Sequence, residues 1–324
     1  MSAPANSDNP RPMRICSLLP SATEIVYALG AGDQLAGVTH ECDFPPSAAS
    51  IPKLTRSNIP STFTSAQIDA AVSASLESSG SLYELDLRAL EQSQPDLIIT
   101  QRLCDVCAVP YDRVQEAVQN ISSHPRVLNL EPSSLTDILD CIRLVGDAIG
   151  RAASADALVF SLQQRIAAVR AKTQNIARRP RVFCMEWVDP PFCGGHWMKE
   201  LVDFAGGYDQ LAADRRPSSR IEWQRVLDFA PEVIVLTCCG FQLDRCAAEA
   251  GILATFERFD ELPAAKSGRI FATDGSAYFS RPGPRIIESL EILAHLVHPE
   301  ILAAPDLPRA FSALSLAPAT AKHA

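Results

Sequence analysis

The sequence predicts an α/β protein of two lobes, each with a parallel sheet, joined by a single long helix. The first observation is an internal repeat: residues 14–35 and residues 181–211 both run through strand, turn and helix. The second is that residues 90–100 and 227–237 share a helix end, a proline that breaks the helix and an apolar run of strand length. Two copies indicate a duplicated domain, because a solenoid array needs at least three repeats.

The third observation is a helical segment between the two copies. Ser133 and Ser134 supply side-chain oxygens for the free amides of a helix start, and apolar residues recur at helical spacing until Gly150. A second amphipathic run begins at Ala152. The predicted organisation is a disordered leader at 1–12, a first lobe at 13–150, a linking helix at 151–177, a second lobe at 178–302 and a disordered, Ala/Pro-rich tail at 303–324.

Composition excludes several classes of partner. The 324 residues carry a net charge of −9 without any basic block, which argues against nucleic acid and anionic lipid. The longest apolar runs have the length of strands, and residues 1–12 lack the basic start and apolar core of a signal peptide. We therefore expect a cytoplasmic protein without membrane insertion, whose ten cysteines are reduced thiols.

Residues with unusual chemistry follow the predicted strands. Ligands of open parallel sheets bind beyond the carboxyl ends of the strands, so two such edges held face to face predict a small-molecule cleft between the lobes. The aromatic residues among them suit a flat macrocycle. The candidate ligand-binding residues are His40, Glu41 and Arg102 in the first lobe and Glu186, Trp187, Phe192, His196, Trp197, Phe241, Tyr278 and Arg281 in the second.

Four of the residues that follow the predicted strands have side chains that can bind a metal ion. Imidazole and thiolate are good donors to zinc or corrinoid cobalt, and a Cys-x-x-Cys pair has metal or redox spacing. The candidate metal ligands are His40, Cys42, Cys104 and Cys107. The alternative for the segment 40–42 is a polar turn that caps neighbouring loops, and the alternative for Trp197 is core packing.

An enzyme built on the same cleft is the second function that the sequence permits. Glu41 and Glu186 would serve as general acid and base if they faced each other, because paired carboxylates in an apolar cleft have separated pKa values. His40 and Cys42 would supply a metal or thiol site. However, the chain has no phosphate loop, dinucleotide fingerprint, nucleophile elbow or zinc-protease helix.

Six short motifs carry a resemblance to a known family. They lie at residues 17–24 (SLLPSATE), 37–46 (GVTHECDFPP), 95–99, 190–192, 205–207 and 278–285. Together they resemble the class III periplasmic-binding-protein family, which binds iron-siderophores and vitamin B12, and most of all its vitamin B12-binding members.

The resemblance implies two Rossmann-like lobes with a corrinoid, or a related metal chelate, bound between them. Glu41 and Tyr278 occupy positions that resemble those where family members place aromatic residues against the corrinoid. The resemblance therefore implies a cobalamin-binding protein similar to the substrate-binding proteins of ABC transporters. Glu41 in place of the aromatic residue and the missing signal peptide depart from the family pattern and argue against a transporter partner.

Overall fold

The computed structural model describes residues 11–77, 82–102 and 109–316. The strands of the first lobe are β1 (Ile15–Ser17), β2 (Leu35–Val38), β3 (Thr55–Ser57), β4 (Tyr83–Leu85), β5 (Leu97–Thr100) and β6 (Arg126–Asn129). Its helices are α1 (Pro20–Ala28), α2 (Ser65–Glu77), α3 (Leu87–Ser93) and α4 (Tyr111–Gln119). Four strands form a parallel sheet in the order β2-β1-β5-β6, and β3 and β4 form a separate two-stranded antiparallel sheet.

Two consecutive helices connect the lobes, as the helical spacing predicts. They are α5 (Leu135–Ala148) and α6 (Ala152–Thr173). The Ser134 side chain caps α5 by accepting from the Asp137 amide. Gly150 turns the chain at φ 70°, a left-handed conformation that glycine adopts at little cost. The 22-residue helix α6 lies within the segment 151–177 that the sequence assigned to the linking helix.

The second lobe is built on a mixed sheet. Its strands are β7 (Val182–Trp187), β8 (Phe192–Cys193), β9 (Ser219–Arg220), β10 (Val233–Leu236), β11 (Ile270–Thr273) and β12 (Phe311–Ala313). Its helices are α7 (Met198–Phe204), α8 (Trp223–Phe229), α9 (Leu243–Glu249), α10 (Pro263–Ser267) and α11 (Ile286–Val297). The order is β12-β11-β10-β7-β8-β9, with β7, β10 and β11 parallel. The parallel strands β7, β10 and β11 are the centre of the predicted sheet, and β8, β9 and β12 extend it by antiparallel pairing, which the sequence did not indicate.

The C-terminal segment differs from its prediction. We predicted a disordered tail from residue 303, whereas β12 extends the second sheet alongside β11. Leu314 and Leu316, just after this strand, pack against the second-lobe core. Apolar residues of this segment therefore pack on the second lobe and keep it ordered. The Ala/Pro-rich composition, taken alone, led to the wrong prediction of disorder.

The two lobes share a hydrophobic core through the linking helices. A single buried cluster includes Ile15 of β1, Val145 of α5, Val159 of α6, Val202 of α7 and Leu290 of α11. Packing of both lobes onto the same helices fixes which edges of the two sheets meet. In the described part of the chain, no helix is long and apolar enough to span a membrane.

Asp209, in the turn after α7, is expected to make stability depend on pH. Its buried carboxylate accepts hydrogen bonds from the amides of Leu211 and Ala212, at 2.8 and 3.0 Å. Burial raises its pKa to about 7. Between about pH 4, where an ordinary aspartate ionises, and about pH 7, the folded state keeps a proton that the unfolded chain has lost, so stability falls as the pH rises from about 4 to about 7.

We expect wild-type unfolding free energy to fall by up to about 1.4 kcal/mol per pH unit through this window. Asp209→Asn keeps an acceptor oxygen but has no titrating group, so its profile is expected to be flatter by that amount. Denaturant unfolding of both proteins at several pH values measures the difference. Parallel profiles for the two proteins would contradict the raised pKa.

Candidate functional site

A buried arginine joins the two lobes at their strand ends. Arg281, in the loop that follows β11, has a side chain only 6% exposed. It donates to Glu24 Oε1 of α1 at 3.0 Å, to Asp43 Oδ1 at 2.6 Å and to the carbonyl oxygen of Glu41 at 3.3 Å. All three acceptors belong to the first lobe. Arg281 therefore bonds the first lobe at three points, one of which is the backbone of Glu41.

A second arginine binds the same carboxylate. Arg285 donates through Nε to Glu24 Oε2 at 2.9 Å and through Nη2 to Glu24 Oε1 at 2.6 Å. The Glu24 side chain is 2% exposed and thus holds two guanidinium groups away from water. We call Glu24, Asp43, Arg281 and Arg285 the inter-lobe ion cluster.

The electrostatics of the cluster favour charged arginine and disfavour charged Glu41. Burial opposes the charge of Arg281, but hydrogen bonding and attraction to Asp43 and Glu24 outweigh it, so the pKa of Arg281 lies above its ordinary value. Burial raises the pKa of Glu41, an effect that Arg281 opposes and Asp43 reinforces. The junction thus holds charged arginines against first-lobe carboxylates, beside a carboxyl group whose pKa is raised.

Tyr278 lies in a π-helical turn, Gly275–Phe279, between β11 and Arg281. The Asp274 side chain caps this turn by accepting from the Ala277 amide at 2.7 Å. The guanidinium of Arg285 lies 5.5 Å from the Tyr278 ring centre and 4.0 Å from the Phe44 ring centre. The turn thus brings an aromatic residue of each lobe to the inter-lobe ion cluster.

An aromatic pair lies beside this turn at the ends of β7 and β10. The ring centres of Trp187 and Phe241 are 4.8 Å apart, and the Arg245 guanidinium lies 3.8 Å from the Phe241 ring centre. The Phe241 carbonyl accepts from the Ser276 amide at 3.1 Å, which links the pair to the turn that carries Tyr278. Trp187, Phe241, Tyr278 and Arg281 therefore lie close together at the strand ends, with Trp187 partly exposed and the other three side chains buried.

Phe192 lies on the neighbouring strand β8. Its ring centre is 6.0 Å from the guanidinium of Arg220 on β9, and the two residues are paired in register. The residue therefore extends the edge that carries Trp187.

Trp197 and His196 occupy a different place. The Trp197 indole is 6% exposed, belongs to the shared core and donates to the Phe279 carbonyl at 3.2 Å. Trp197 is therefore a packing residue, which corrects its assignment to the cleft. His196 stacks on it at 5.4 Å and lines a notch of about 210 Å³ between the start of α5 and α7. Burial lowers the pKa of His196.

His40 and Cys42 engage different partners and do not form a common metal site. His40 Nδ1 lies 2.7 Å from Thr55 Oγ1, and its ring packs against Tyr83. The Cys42 thiol is 2% exposed and contacts the hydroxyls of Thr23 and Thr39 at 3.1 and 3.2 Å. The alternative of a polar turn that binds neighbouring loops thus accounts for both side chains.

The other candidate metal ligands, Cys104 and Cys107, lie outside the described residues. Within those residues, no group of three His, Cys, Asp or Glu side chains is arranged to hold a metal ion.

The enzyme alternative finds no support in the positions of its residues. Glu186 accepts a hydrogen bond from the Gly195 amide at 3.0 Å and so fixes the turn before α7, while Glu41 lies by Arg281 and Tyr83.

Arg102, a candidate ligand-binding residue, is exposed, with its guanidinium 5.7 Å from the ring of Tyr111 on α4.

An open groove of about 560 Å³ lies on the flank of the first lobe, between β4, α3 and α4. None of the predicted ligand-binding residues lines it, and its wall includes the charged residues Glu84, Glu91 and Arg113. We therefore place the candidate site at the strand ends, where aromatic and buried charged groups converge.

Sequence reasoning missed three members of the inter-lobe ion cluster. Glu24, Asp43 and Arg285 lie within motifs that were recognised, but no role was assigned to them. One signal was available for Glu24, because it directly precedes the apolar pair Ile25 and Val26 in a helix whose first six residues are all buried apart from Pro20. A carboxylate in that position requires a buried partner.

Comparison with known proteins identifies the family. A family model described as "Periplasmic binding protein" matches residues 15–277. The uncharacterized ABC transporter substrate-binding lipoprotein YvrC of Bacillus subtilis (strain 168) is 24% identical over 294 residues, covering 89% of this chain and 81% of that protein. A vitamin B12-binding protein of Vibrio parahaemolyticus is 23% identical over 287 residues, covering 87% and 88%.

Solved structures agree on the fold. The periplasmic vitamin B12 binding protein BtuF of Vibrio cholerae superposes with a TM-score of 0.65 at 20% identity, covering 88% of this chain and 96% of that chain. The periplasmic heme-binding protein RhuT of Roseiflexus sp. RS-1 gives 0.67 at 21%, covering 89% and 98%. The α/β class, the parallel first sheet and the helical connection predicted from sequence are thereby confirmed, and the chain belongs to the periplasmic binding protein family.

Proposed function

We propose that the protein binds a planar metal chelate, with cobalamin or another corrinoid as the leading candidate, at the strand ends where its two lobes meet. The observation that carries the proposal is the position of Trp187, a partly exposed aromatic residue at the end of β7. Phe241 and Tyr278, which follow the neighbouring strands β10 and β11, are 2% and 9% exposed and lie behind this face in the core. Two proteins similar to this chain, a vitamin B12-binding protein and a heme-binding protein, are named for ligands of this class, which supports the proposal.

The chemistry of the site suits such a ligand. An aromatic face against a broad, flat ring contributes to binding by burial of apolar area, at roughly 25 cal/mol per Å². Arg281 and Arg285 are buried and bonded to first-lobe acceptors, so their part is to hold the two lobes together beside this face. Micromolar affinity, about −8 kcal/mol, is then expected.

Titration of the purified protein with cyanocobalamin, cobinamide and hemin, followed by absorbance and heat, tests the proposal. We expect Trp187→Ala to weaken binding roughly tenfold or more, about 1.4 kcal/mol, because it removes an aromatic face from the site. Trp223→Ala is the matched control. Trp223 packs on Phe256 and donates to the Glu257 carbonyl, so its loss is expected to leave affinity unchanged.

Absence of heat and of any spectral change with all three probes, even at high micromolar concentration, would overturn the proposal. Equal weakening in Trp187→Ala and Trp223→Ala would place the ligand elsewhere. The cytoplasmic location stays a prediction. The expectation that no transporter is involved has no support among the relatives, one of which is named as a transporter substrate-binding lipoprotein.

A further inference from the structure

A segment of the first lobe crosses to the second lobe. Residues 58–77, which we call the strap, follow β3 and include α2. Ser65 donates through its hydroxyl to Glu249 Oε2 of α9 at 2.7 Å. Ile68 packs against the hydrophobic core of the second lobe. The strap therefore connects the two lobes at a place separate from the linking helices.

The strap supplies hydrogen-bond acceptors to the aromatic edge of the candidate site. Three second-lobe donors are involved, and each bonds a different strap residue. The contacts are Trp187 Nε1 to the Ser65 carbonyl at 3.2 Å, Arg245 Nη2 to the Phe63 carbonyl at 2.7 Å, and Arg220 Nη2 to Asp69 Oδ2 at 2.6 Å. Asp69 is 16% exposed, so its carboxylate lies mostly against the second lobe.

The donors lie along the aromatic edge of the second lobe, which includes Trp187 of the proposed ligand site. Trp187 is itself one of them, Arg245 lies over Phe241, and Arg220 lies beside Phe192. A ligand stacked on this edge would contact the same indole and the same two guanidinium groups. The strap and the ligand therefore compete for one surface.

We propose that the strap occupies the second-lobe part of the ligand site as an internal substitute, and that the ligand displaces it. The inference rests on the proposed function. It adds which chemical groups the ligand carries where it contacts the second lobe. A displaced strap leaves two arginines and an indole N–H without acceptors, so the ligand carries anionic or acceptor groups that replace the Asp69 carboxylate and the two carbonyls. Carboxylate and phosphate groups both meet this requirement.

Asp69→Ala removes the ion pair with Arg220 and is expected to loosen the strap. Affinity for a probe that competes with the strap should rise about threefold, because a larger fraction of the protein is competent to bind. Hydrogen exchange of the strap amides should accelerate, and the fluorescence assigned to Trp187 by comparison with Trp187→Phe should become more accessible to acrylamide.

Asp156→Ala is the matched control, since it also removes one acid from an ion pair, with Arg143 at 3.2 Å, but on α6. It is expected to change none of the three measurements.

Arg220→Ala identifies the ligand chemistry. It also breaks the strap contact but removes a group that the ligand is proposed to use. It is therefore expected to lack the gain in affinity for hemin, which has carboxylates, and for cyanocobalamin, which has a phosphodiester. Cobinamide has neither group and should bind both variants alike.

The outcomes separate the two proposals. A probe that binds wild type and Asp69→Ala equally, or a Trp187 that stays shielded in Asp69→Ala, would overturn the strap inference and leave the proposed function standing. If no probe binds either protein but Trp187 becomes accessible in Asp69→Ala, the result supports the conclusion that the strap covers Trp187 in the wild type. The same result would overturn the proposed function.

Discussion

Replacing Glu24 with Gln is expected to destabilise the protein by roughly 3 kcal/mol or more. The substitution keeps the shape of the side chain but removes the charge that Arg281 and Arg285 share inside the protein. Removal of one partner from a buried ion cluster leaves the other charges buried without a partner. The energetic cost of such an unpaired charge exceeds the net stabilisation that the intact cluster provides. Denaturant unfolding measures the loss.

The same substitution should also loosen the contact between the lobes. Glu24 belongs to α1 of the first lobe, and both arginines belong to the second. Small-angle scattering is expected to show a larger radius of gyration for Glu24→Gln than for wild type. An unchanged radius would mean that packing onto α5 and α6 alone holds the lobes together.

Glu84→Gln provides the control for this prediction. Glu84 also accepts two hydrogen bonds from one arginine, Arg56, at 2.9 and 2.5 Å. Its pair lies at the surface, where water and salt weaken the attraction, so little measurable loss is expected. Comparable destabilisation by the two variants would show that burial does not determine how much unfolding free energy is lost when the carboxylate charge is removed.

The fold was largely predictable because its signals are local. The helix start at Ser134, the glycine at 150 and the proline before β5 act within a few residues of their position, and the structure shows the elements they indicate. The internal repeat then supplied the number of lobes. The antiparallel strands of the second sheet lack such a signal, because β8 and β9 have two residues each and are too short for periodicity.

The site was only partly predictable because its decisive contacts join distant parts of the chain. Arg285 and Glu24 are 261 positions apart, and Arg245 and Phe63 are 182 apart. Position at or after a strand end brings Trp187, Phe241 and Tyr278 to one edge, since strand ends of a parallel sheet meet there. It did not distinguish Trp197, whose indole turns into the core, and it gave no indication that α2 covers the aromatic edge.

Gly275→Ala is expected to disrupt both stability and the candidate site. A Cβ atom on Gly275 would lie 2.3 Å from the carbonyl oxygen of Cys238 and 2.9 Å from the carbonyl carbon of Thr237. Both are backbone atoms at the end of β10, so no side-chain rotation relieves the contact and the turn itself must shift. Overpacking of this kind costs about 1 to 3 kcal/mol, and we expect the upper end of that range.

The shift would be carried directly into the site, because the turn that begins at Gly275 positions Tyr278 and leads to Arg281. Gly275→Ala is therefore expected to lower the unfolding free energy and to weaken ligand binding at least tenfold. Gly251→Ala is the matched control, since a Cβ there meets no atom within 4 Å. Denaturant unfolding and the ligand titration together measure both effects. Wild-type stability in Gly275→Ala would show that β10 and the turn do not pack as closely as the structure places them, and lost stability with full affinity would separate the turn from the ligand site.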